Sequence, residues 1–369
     1  MNKTAVFGLG IILAIFSACA TLHATPEKDF SVRVIGDGSA VEITGFRRHT
    51  ATRLNIPPTI QGLPVVSIGE RAFFNKQISL VSIPGTVLHI GGGAFADNNI
   101  RNLTLPDGLT HIGEWAFMHN RIDSLSLPAG VVHVGAFAFA GNNISAIQIP
   151  NGVQSLGDGA FADNRIRELD VPAGITKIGN WTFGGNRIGS LRMHGNIVGI
   201  GDGAFEGNRL SSVRLPQALT HIGSDAFRNN ELVEVLIPER VTHIGDRAFA
   251  QNRLQTVALP QRLTHIGMES FADNRIAEIS IPGGVRHIGD GAFANNRLEE
   301  LVIPDGVTHI GGAAFARNRL RSVVIPASVT NIGTHAFWRN RLTGVSVPAG
   351  AAKGFEVFDP RVVESRVVY

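Results

Sequence analysis

The sequence predicts a repeat solenoid, mainly β, in which thirteen coils of 22 residues form a curved array with short helical turns and a cap at each end. Three observations support this prediction. Proline recurs every 22 residues from Pro84 to Pro348, and only His194 breaks the series. An aliphatic residue followed by glycine occurs thirteen times in one register, from 68–69 to 332–333, and a phenylalanine follows each pair at a fixed offset. A fixed period of this length indicates coils that each contact only their neighbours.

The first 30 residues are predicted to be an export signal and a tether. Residues 1–18 combine a short basic start with an apolar run that is too short to span a membrane, as in a signal peptide. Residues 19–30 are short and polar. Cys19 is the only cysteine, and residues 16–19, Phe-Ser-Ala-Cys, resemble a bacterial lipobox. That resemblance implies cleavage before Cys19 and acylation of its thiol, whereas ordinary cleavage after Ala20 is the alternative.

The two ends of the repeat are predicted to be capped. Residues 31–67 do not match the repeat, and two apolar runs there flank Gly36-Asp37-Gly38, which predicts a strand, a turn and a strand in an N-terminal cap. Residues 349–369 lose the pattern but keep apolar side chains, so we predict a C-terminal cap. Caps are needed because bare terminal coils would stack end to end. The array itself is predicted over 68–348.

Each coil is predicted to begin with a strand. In residues 100–122, Leu103 and Leu105 alternate with a polar residue, as in a strand with one buried face. Pro106 ends this strand, because proline cannot donate to a continuing ladder. Leu109 and Ile112 then form a second short apolar stretch on the opposite side of the coil.

The rest of the coil is predicted to return the chain. Gly113 is expected to take a backbone angle that only glycine adopts cheaply. Ala116 and Phe117 are expected to form one helical turn, with the ring filling the centre of the coil. Asn120 closes the unit and recurs in twelve coils, so we expect a buried asparagine ladder that satisfies open backbone groups.

These units resemble the BspA-like, or treponemal-type, leucine-rich repeat, L-x-x-L-x-L-P-x-x-L-x-x-I-G-x-x-A-F-x-x-(N/C), over residues 68–348. Two departures are that the period is 22 in every coil, and that asparagine stands where many relatives carry cysteine. The resemblance implies a curved solenoid on a bacterial surface that binds proteins or adheres to cells.

A column of histidines precedes the Ile-Gly pairs. Stacked imidazoles could bind a metal, but a structural metal site needs converging ligands, so no metal is predicted. We instead predict an outward-facing polar ladder beside threonines, with acid sensitivity because stacked imidazolium groups repel. The column comprises His89, His111, His133, His221, His243, His265, His287 and His309.

A column of arginines follows the asparagines. It could engage sulfated glycans, acidic proteins or lipid headgroups. The alternative, which we favour, is a solvated turn whose charge is neutralised by Asp97, Asp163, Asp273, Glu168, Glu278, Glu299 and Glu300. The column comprises Arg121, Arg165, Arg187, Arg209, Arg253, Arg275, Arg297, Arg319 and Arg341.

Three large aromatic residues share another column, two places before the core phenylalanine. Trp115 and Phe137 lie in successive coils and are expected to touch, and Trp181 lies two coils further on. Exposed aromatic clusters often anchor a partner, although a ring lying flat on the turn is the alternative.

The most variable positions lie between the core residues of each strand, and we expect them to project from the large sheet. Solenoids use such a face for binding. Asp170, Arg192 and Arg214 are its most charged part, so a specific site is predicted between residues 148 and 236.

Composition limits the function. The net charge of +3 is too small for strong non-specific attraction to nucleic acid, so no nucleic-acid partner is expected. The sequence contains no phosphate-loop, zinc-protease or serine-hydrolase motif, so neither an enzyme nor a cofactor is predicted.

The predicted function is an exported protein of the cell surface or outer membrane, or otherwise secreted, that presents a rigid face to host extracellular-matrix or cell-surface proteins. A sulfated glycan is a second candidate partner, and membrane contact is expected only through a lipid anchor. The alternatives are a structural envelope protein and a carbohydrate-active enzyme on a parallel β-helix, which would need acidic and basic groups lining one groove.

Overall fold

The computed structural model describes residues 24–367, with side chains to residue 364. The predicted signal peptide and Cys19 lie outside the described residues. The described chain is a mainly β solenoid of about 15 turns of roughly 22 residues. Its only helix is a 3-10 turn, Glu27–Asp29.

The N-terminal segment contributes five strands, and the hairpin predicted there is present. β1 and β2 pair antiparallel, and β2 pairs parallel with β5. The five strands are β1 (Phe30–Ile35), β2 (Ala40–Phe46), β3 (Arg53–Asn55), β4 (Thr59–Ile60) and β5 (Leu63–Ile68). The hairpin therefore continues into the sheet that runs along the coils.

Two long sheets run along one side of the solenoid, one of eight strands including β1, β2, β4 and β5, and one of nine. The strands that the coils contribute to them pair in parallel. They are built from the two-residue strands that precede the recurring glycine. These strands are β7 (His89–Ile90), β8 (His111–Ile112), β10 (His133–Val134), β12 (Ser155–Leu156), β14 (Lys177–Ile178), β16 (Gly199–Ile200), β17 (His221–Ile222), β19 (His243–Ile244), β21 (His265–Ile266), β22 (His287–Ile288), β23 (His309–Ile310), β24 (Asn331–Ile332) and β26 (Ala352–Lys353).

The strands that open each coil form two-stranded ladders, some of them joined by isolated bridges at Asn102 and Val324, and not the long sheet that was expected. β3 pairs with β6 (Leu80–Ser82), and the other pairs are β9 (Ser124–Ser126) with β11 (Ala146–Gln148), β13 (Glu168–Val171) with β15 (Ser190–Met193), β18 (Glu234–Leu236) with β20 (Thr256–Ala258), and β25 (Gly344–Pro348) with β27 (Val363–Val367). Proline follows most of these segments and lacks the N–H that would lengthen them, which keeps the strands short; β15 is instead followed by His194.

A single phenylalanine stack forms the centre of the core, as predicted. Thirteen rings from Phe73 to Phe337 are all 0% exposed. Their centroids lie 5.1 to 5.8 Å apart, with interplanar angles from 2° to 13°. Phe46 contacts the first ring and Phe358 stacks on the last, so the segments beyond the repeat extend the same core.

The recurring glycine is required by close packing between coils, and not by an unusual backbone angle as predicted. A Cβ at Gly113 would lie 2.6 Å from the backbone nitrogen of Gly92 in the preceding coil. Every equivalent glycine from Gly69 to Gly333 would place a Cβ within 2.9 Å of an atom of the preceding coil. The left-handed backbone angle falls two residues later, where Trp115 has φ 56°.

The return segment is a tight turn and not the expected helical turn. Ala116 and Met118 donate backbone hydrogen bonds to the residues three before them. Trp115 and Phe117, in contrast, donate to the next coil, at 2.8 Å each. Alternate backbone amides donate to the next coil, and Trp115 has a left-handed backbone conformation. The segment therefore cannot continue as a helix.

The asparagine ladder is present as predicted. The Asn120 side chain accepts from the Ile100 amide at 3.0 Å and donates to the carbonyls of Phe95 and Phe117 at 2.9 and 3.1 Å. Each asparagine therefore bonds backbone groups of two coils, and the same pattern recurs from Asn98 to Asn340.

Candidate binding surfaces

The strand face consists of the positions between the core residues of each opening strand. Eleven of its twelve side chains are exposed, and only Ser346 is half-buried. Its members are Thr104, Ser126, Gln148, Asp170, Arg192, Arg214, Leu236, Ala258, Ser280, Val302, Val324 and Ser346. The structure therefore presents one variable side chain per coil to solvent, on short strand pairs.

Aliphatic residues on this face were not singled out from the sequence. Leu236, Val302 and Val324 are 65%, 79% and 66% exposed. A hollow of about 720 Å³ is lined by Arg214, Glu234, Leu236 and Ala258, among others. A second hollow of about 770 Å³ is lined by Val302 and Val324. An aliphatic side chain at a position that is usually polar was the signal available in the sequence.

The predicted charged site is only partly assembled. Asp170 lies 3.2 Å from the His194 ring and 3.8 Å from the Arg192 guanidinium, because β13 and β15 pair in register. Arg214 lies one coil further on and lines the hollow that contains Leu236. The strand face thus places a small ionic group beside an apolar hollow.

The aromatic column lies on the return turn, away from the strand pairs. The Phe137 and Trp181 rings lie over glycines of the next coil, since a Cβ at Gly159 or Gly203 would come within 2.3 or 2.7 Å of ring atoms. For these two side chains, the flat-ring alternative describes the geometry. Trp181 nevertheless remains 45% exposed.

Trp115 does not contact Phe137, which corrects the expectation that they touch. The ring contacts of the described residues include no such pair, because the Phe137 ring faces the following coil. Trp115 is 47% exposed and lines a hollow of about 350 Å³ with Phe74 and Met118. The predicted aromatic cluster is therefore three separate side chains.

The histidine column forms an outward-facing ladder, as predicted. From His243 to His309 the ring centroids lie 4.7 to 4.9 Å apart. Thr110 shows how the rings are oriented, since its hydroxyl donates to the Leu88 carbonyl at 3.1 Å and so can only accept from His111 Nδ1 at 2.8 Å. The neutral ring is then protonated at Nδ1, and Nε2 is left as the acceptor.

The carboxylates predicted to neutralise the arginine column do not pair with it. Asp97 instead contacts His119, and Asp273 accepts a hydrogen bond from Asn295. Within residues 24–364, Arg253 is the one column member in an ion pair, with Glu231 at 2.9 Å. The other eight guanidinium groups have no carboxylate within 4.0 Å in that part of the chain.

An ion network on the return turns was missed. Arg247 donates two hydrogen bonds to Asp225, at 2.9 and 3.0 Å, and Arg228 lies 3.6 Å from Glu206. Burial raises the pKa of Glu206 and the Asp225 charge raises it further, while the two arginines oppose this. The signal available was a pair of opposite charges 22 residues apart, at Asp225 and Arg247.

The described residues contain no group of three or more His, Cys, Asp or Glu side chains that could hold a metal ion. Over the same residues, no helix has the length and apolarity needed to cross a membrane.

Comparison with known proteins gives one family. The model of the BspA type leucine rich repeat region matches residues 66–188, 116–233 and 220–343. No curated protein matches the chain. Among solved structures, a leucine-rich repeat protein from Bacteroides ovatus is 22% identical with a TM-score of 0.67, covering 92% of this chain and 98% of that one. The pneumococcal vaccine antigen PcpA is 16% identical with a TM-score of 0.58, covering 92% and 97%.

Proposed function

Because this chain belongs to the BspA-type leucine-rich repeat family, we propose that it is an exported cell-surface protein that uses its strand face to bind host extracellular-matrix or cell-surface proteins. One observation supports this most directly: Leu236 is 65% exposed in a hollow that Arg214 and Glu234 also line. An apolar anchor with a charged rim is typical of the centre of a protein–protein interface.

The rigidity of the solenoid supports the same proposal. Each strand-face side chain stands on a coil whose turn is bonded to its neighbours through asparagine, as Asn208 and Asn230 do on either side of Arg214. A preorganised surface loses little conformational entropy on binding, so shallow contacts can still give useful affinity.

The binding proposal predicts that surface substitutions will reduce capture of a partner. We expect Arg214→Glu combined with Leu236→Asp to abolish retention of a ligand from extracellular matrix or serum, because both changes alter the rim and anchor of one hollow. The measurement is a pull-down with the exported chain, followed by titration of the recovered protein.

A second variant, Trp115→Ala with Phe137→Ala and Trp181→Ala, tests the return turn as the alternative binding surface. Thermal melts of both variants control for folding. Equal capture by both variants and the parent chain would exclude both surfaces and leave a structural role in the envelope.

Anchoring through Cys19 is proposed separately, on the lipobox-like residues 16–19. Dual acylation would hold the chain at the membrane, since one acyl chain gives only marginal binding. In the native host, labelled palmitate should enter the parent chain but not Cys19→Ser. Secretion of an unlabelled parent chain would indicate ordinary cleavage after Ala20.

A further inference from the structure

The C-terminal coils carry a cluster of arginines with no acidic residue in their sequence. Residues 306–355 contain six of the 33 Lys and Arg residues and none of the 30 Asp and Glu residues. The rest of the chain is therefore net acidic. Five of the six are exposed arginines on the turn that carries the asparagine ladder: Arg317, Arg319, Arg321, Arg339 and Arg341. We call these five the arginine cluster.

The neighbouring carboxylates of the last segment are engaged with other groups. Asp359 accepts from the backbone amides of Arg339 and Asn340, at 3.2 Å each. Glu356 lies 3.4 Å from the His335 ring, and Glu364 pairs with Lys353. Within residues 24–364 no guanidinium of the cluster has a carboxylate within 4.0 Å. In this part of the chain the five guanidinium groups are therefore free of direct ion pairs, although the Asp359 carboxylate lies beside the backbone of Arg339.

A row of cations leads into the cluster. Four successive coils each carry one arginine at the same position, and the backbone amide of each donates to the preceding coil at 2.9 Å. These residues are Arg275, Arg297, Arg319 and Arg341. The phenylalanine rings of these coils are 5.4 to 5.6 Å apart, so the row rises by about this distance per coil. The backbone thus fixes one guanidinium-bearing position per coil, at regular spacing along the solenoid.

The chemistry of the side chain favours an oxyanion partner. Guanidinium groups donate paired hydrogen bonds that match sulfate and phosphate oxygens. A row of such groups at regular spacing suits a linear chain of anions better than a single small anion. Near the start of the row in sequence are two acidic residues, Asp273 and Glu299. The cluster at the end of the row is therefore the more favourable part for binding an anion.

The aromatic residues favour a polysaccharide over a nucleic acid. Proteins that bind single-stranded nucleic acid stack bases on exposed aromatic rings. Two aromatic side chains near the cluster lie outside the buried stack. Trp338 is half-buried, and the Arg339 guanidinium lies 4.2 Å from its ring centroid. Phe355 is 68% exposed, and its ring centroid lies 6.1 Å from that of His335. Arg339 therefore covers one face of Trp338, and Phe355 is a single ring on the last segment. The phenylalanines of the coils that carry the row are buried, so they offer no succession of exposed rings on which several bases could stack.

We propose that the arginine cluster, with the row that leads into it, binds a linear sulfated polysaccharide lying along the solenoid axis. This surface lies on the asparagine turn, and it is separate from the strand face. A protein ligand and a sulfated polysaccharide would therefore bind independently.

The test uses the exported chain and a size-defined heparin oligosaccharide. We expect binding that weakens as salt is raised, because exposed charges are screened. Arg319→Gln, Arg321→Gln and Arg341→Gln together should weaken it about tenfold, as three exposed charge contacts are lost.

The matched control removes the same charge from elsewhere on the surface. Arg53→Gln, Arg240→Gln and Arg262→Gln change exposed arginines outside the cluster and the row, and should leave the affinity unchanged. Equal losses of heparin affinity in the two triple variants would show that binding depends only on net charge, and would overturn the proposal.

Two further ligands identify the chemistry. Desulfated heparin should not bind, and a single-stranded oligonucleotide of equal charge should bind more weakly than the sulfated chain. Tight binding of desulfated heparin, or preference for the oligonucleotide, would overturn the assignment. Because the Arg214 and Leu236 variant leaves the cluster intact, its heparin affinity should be normal whether or not a protein ligand is found.

Discussion

At the scale of single residues, the recurring glycine sets how closely the coils approach. A Cβ at Gly113 would meet the backbone of the preceding coil at 2.6 Å, and backbone cannot move aside as a side-chain tip can. Glycine at this position is therefore a packing requirement that repeats in every coil.

Gly113→Ala is predicted to destabilise the protein by about 1–3 kcal/mol, the usual cost of overpacking a close contact. The free energy of unfolding from urea titration measures the effect. Gly85→Ala is the matched control, since a Cβ there would meet nothing within 4 Å and its backbone angle suits alanine. A similar small effect for both substitutions would show that the coils are less tightly spaced.

At the scale of elements, the histidine ladder makes the stability of the sheet depend on pH. Burial lowers the pKa of His265 below 6.5, and the charges of His243 and His287 lower it further. The folded state therefore binds this proton less readily than the unfolded chain does. The resulting stability is present above pH 6.5 and is lost as the pH falls through the lowered pKa.

We predict a lower melting temperature at pH 5 than at pH 7.5. His265→Gln should reduce that difference, because it removes the central charge of three adjacent rings. His49→Gln, at an exposed position outside the column, is the control. A melting temperature that is independent of pH in the parent chain would contradict this account of the ladder.

The strands and ladders also differ in how far the sequence could predict them. Periodicity places the phenylalanine stack and the asparagine ladder, because both depend only on one residue type recurring in register. It does not decide which of two apolar segments forms the long sheets, because both segments recur in the same register. Nor does it decide the partner of Asp97, which contacts His119 and not an arginine. Such pairings depend on local side-chain geometry.

For the candidate surfaces, exposure of the strand-face positions followed directly from strand alternation, as at Arg192 and Arg214. The hollow around Leu236 did not, since it depends on the combined shape of three adjacent coils. The separation of Trp115 from Phe137 likewise depends on which way each ring turns from a left-handed residue.

At the scale of the whole molecule, each coil meets only the coils on either side, so stability should be distributed along the axis and not held in one centre. The Phe205 ring is 0% exposed and lies 5.8 and 5.5 Å from the rings of Phe183 and Phe227. Its removal would open a cavity at the middle of the stack and weaken two inter-coil contacts.

Phe205→Ala is predicted to cost about 3–5 kcal/mol, as for other buried aromatic truncations. The loss should be local: amides of the neighbouring coils, such as the Phe183 amide that bonds Ala204, should exchange faster with deuterium. Protection around Phe315 should change little, because four coils lie between it and Phe205. Phe205→Leu, which keeps most of the volume, should show the same pattern more weakly. Uniform loss of protection from the first coil to the last would mean that the solenoid unfolds as one unit, and that the nearest-neighbour description of its stability is wrong.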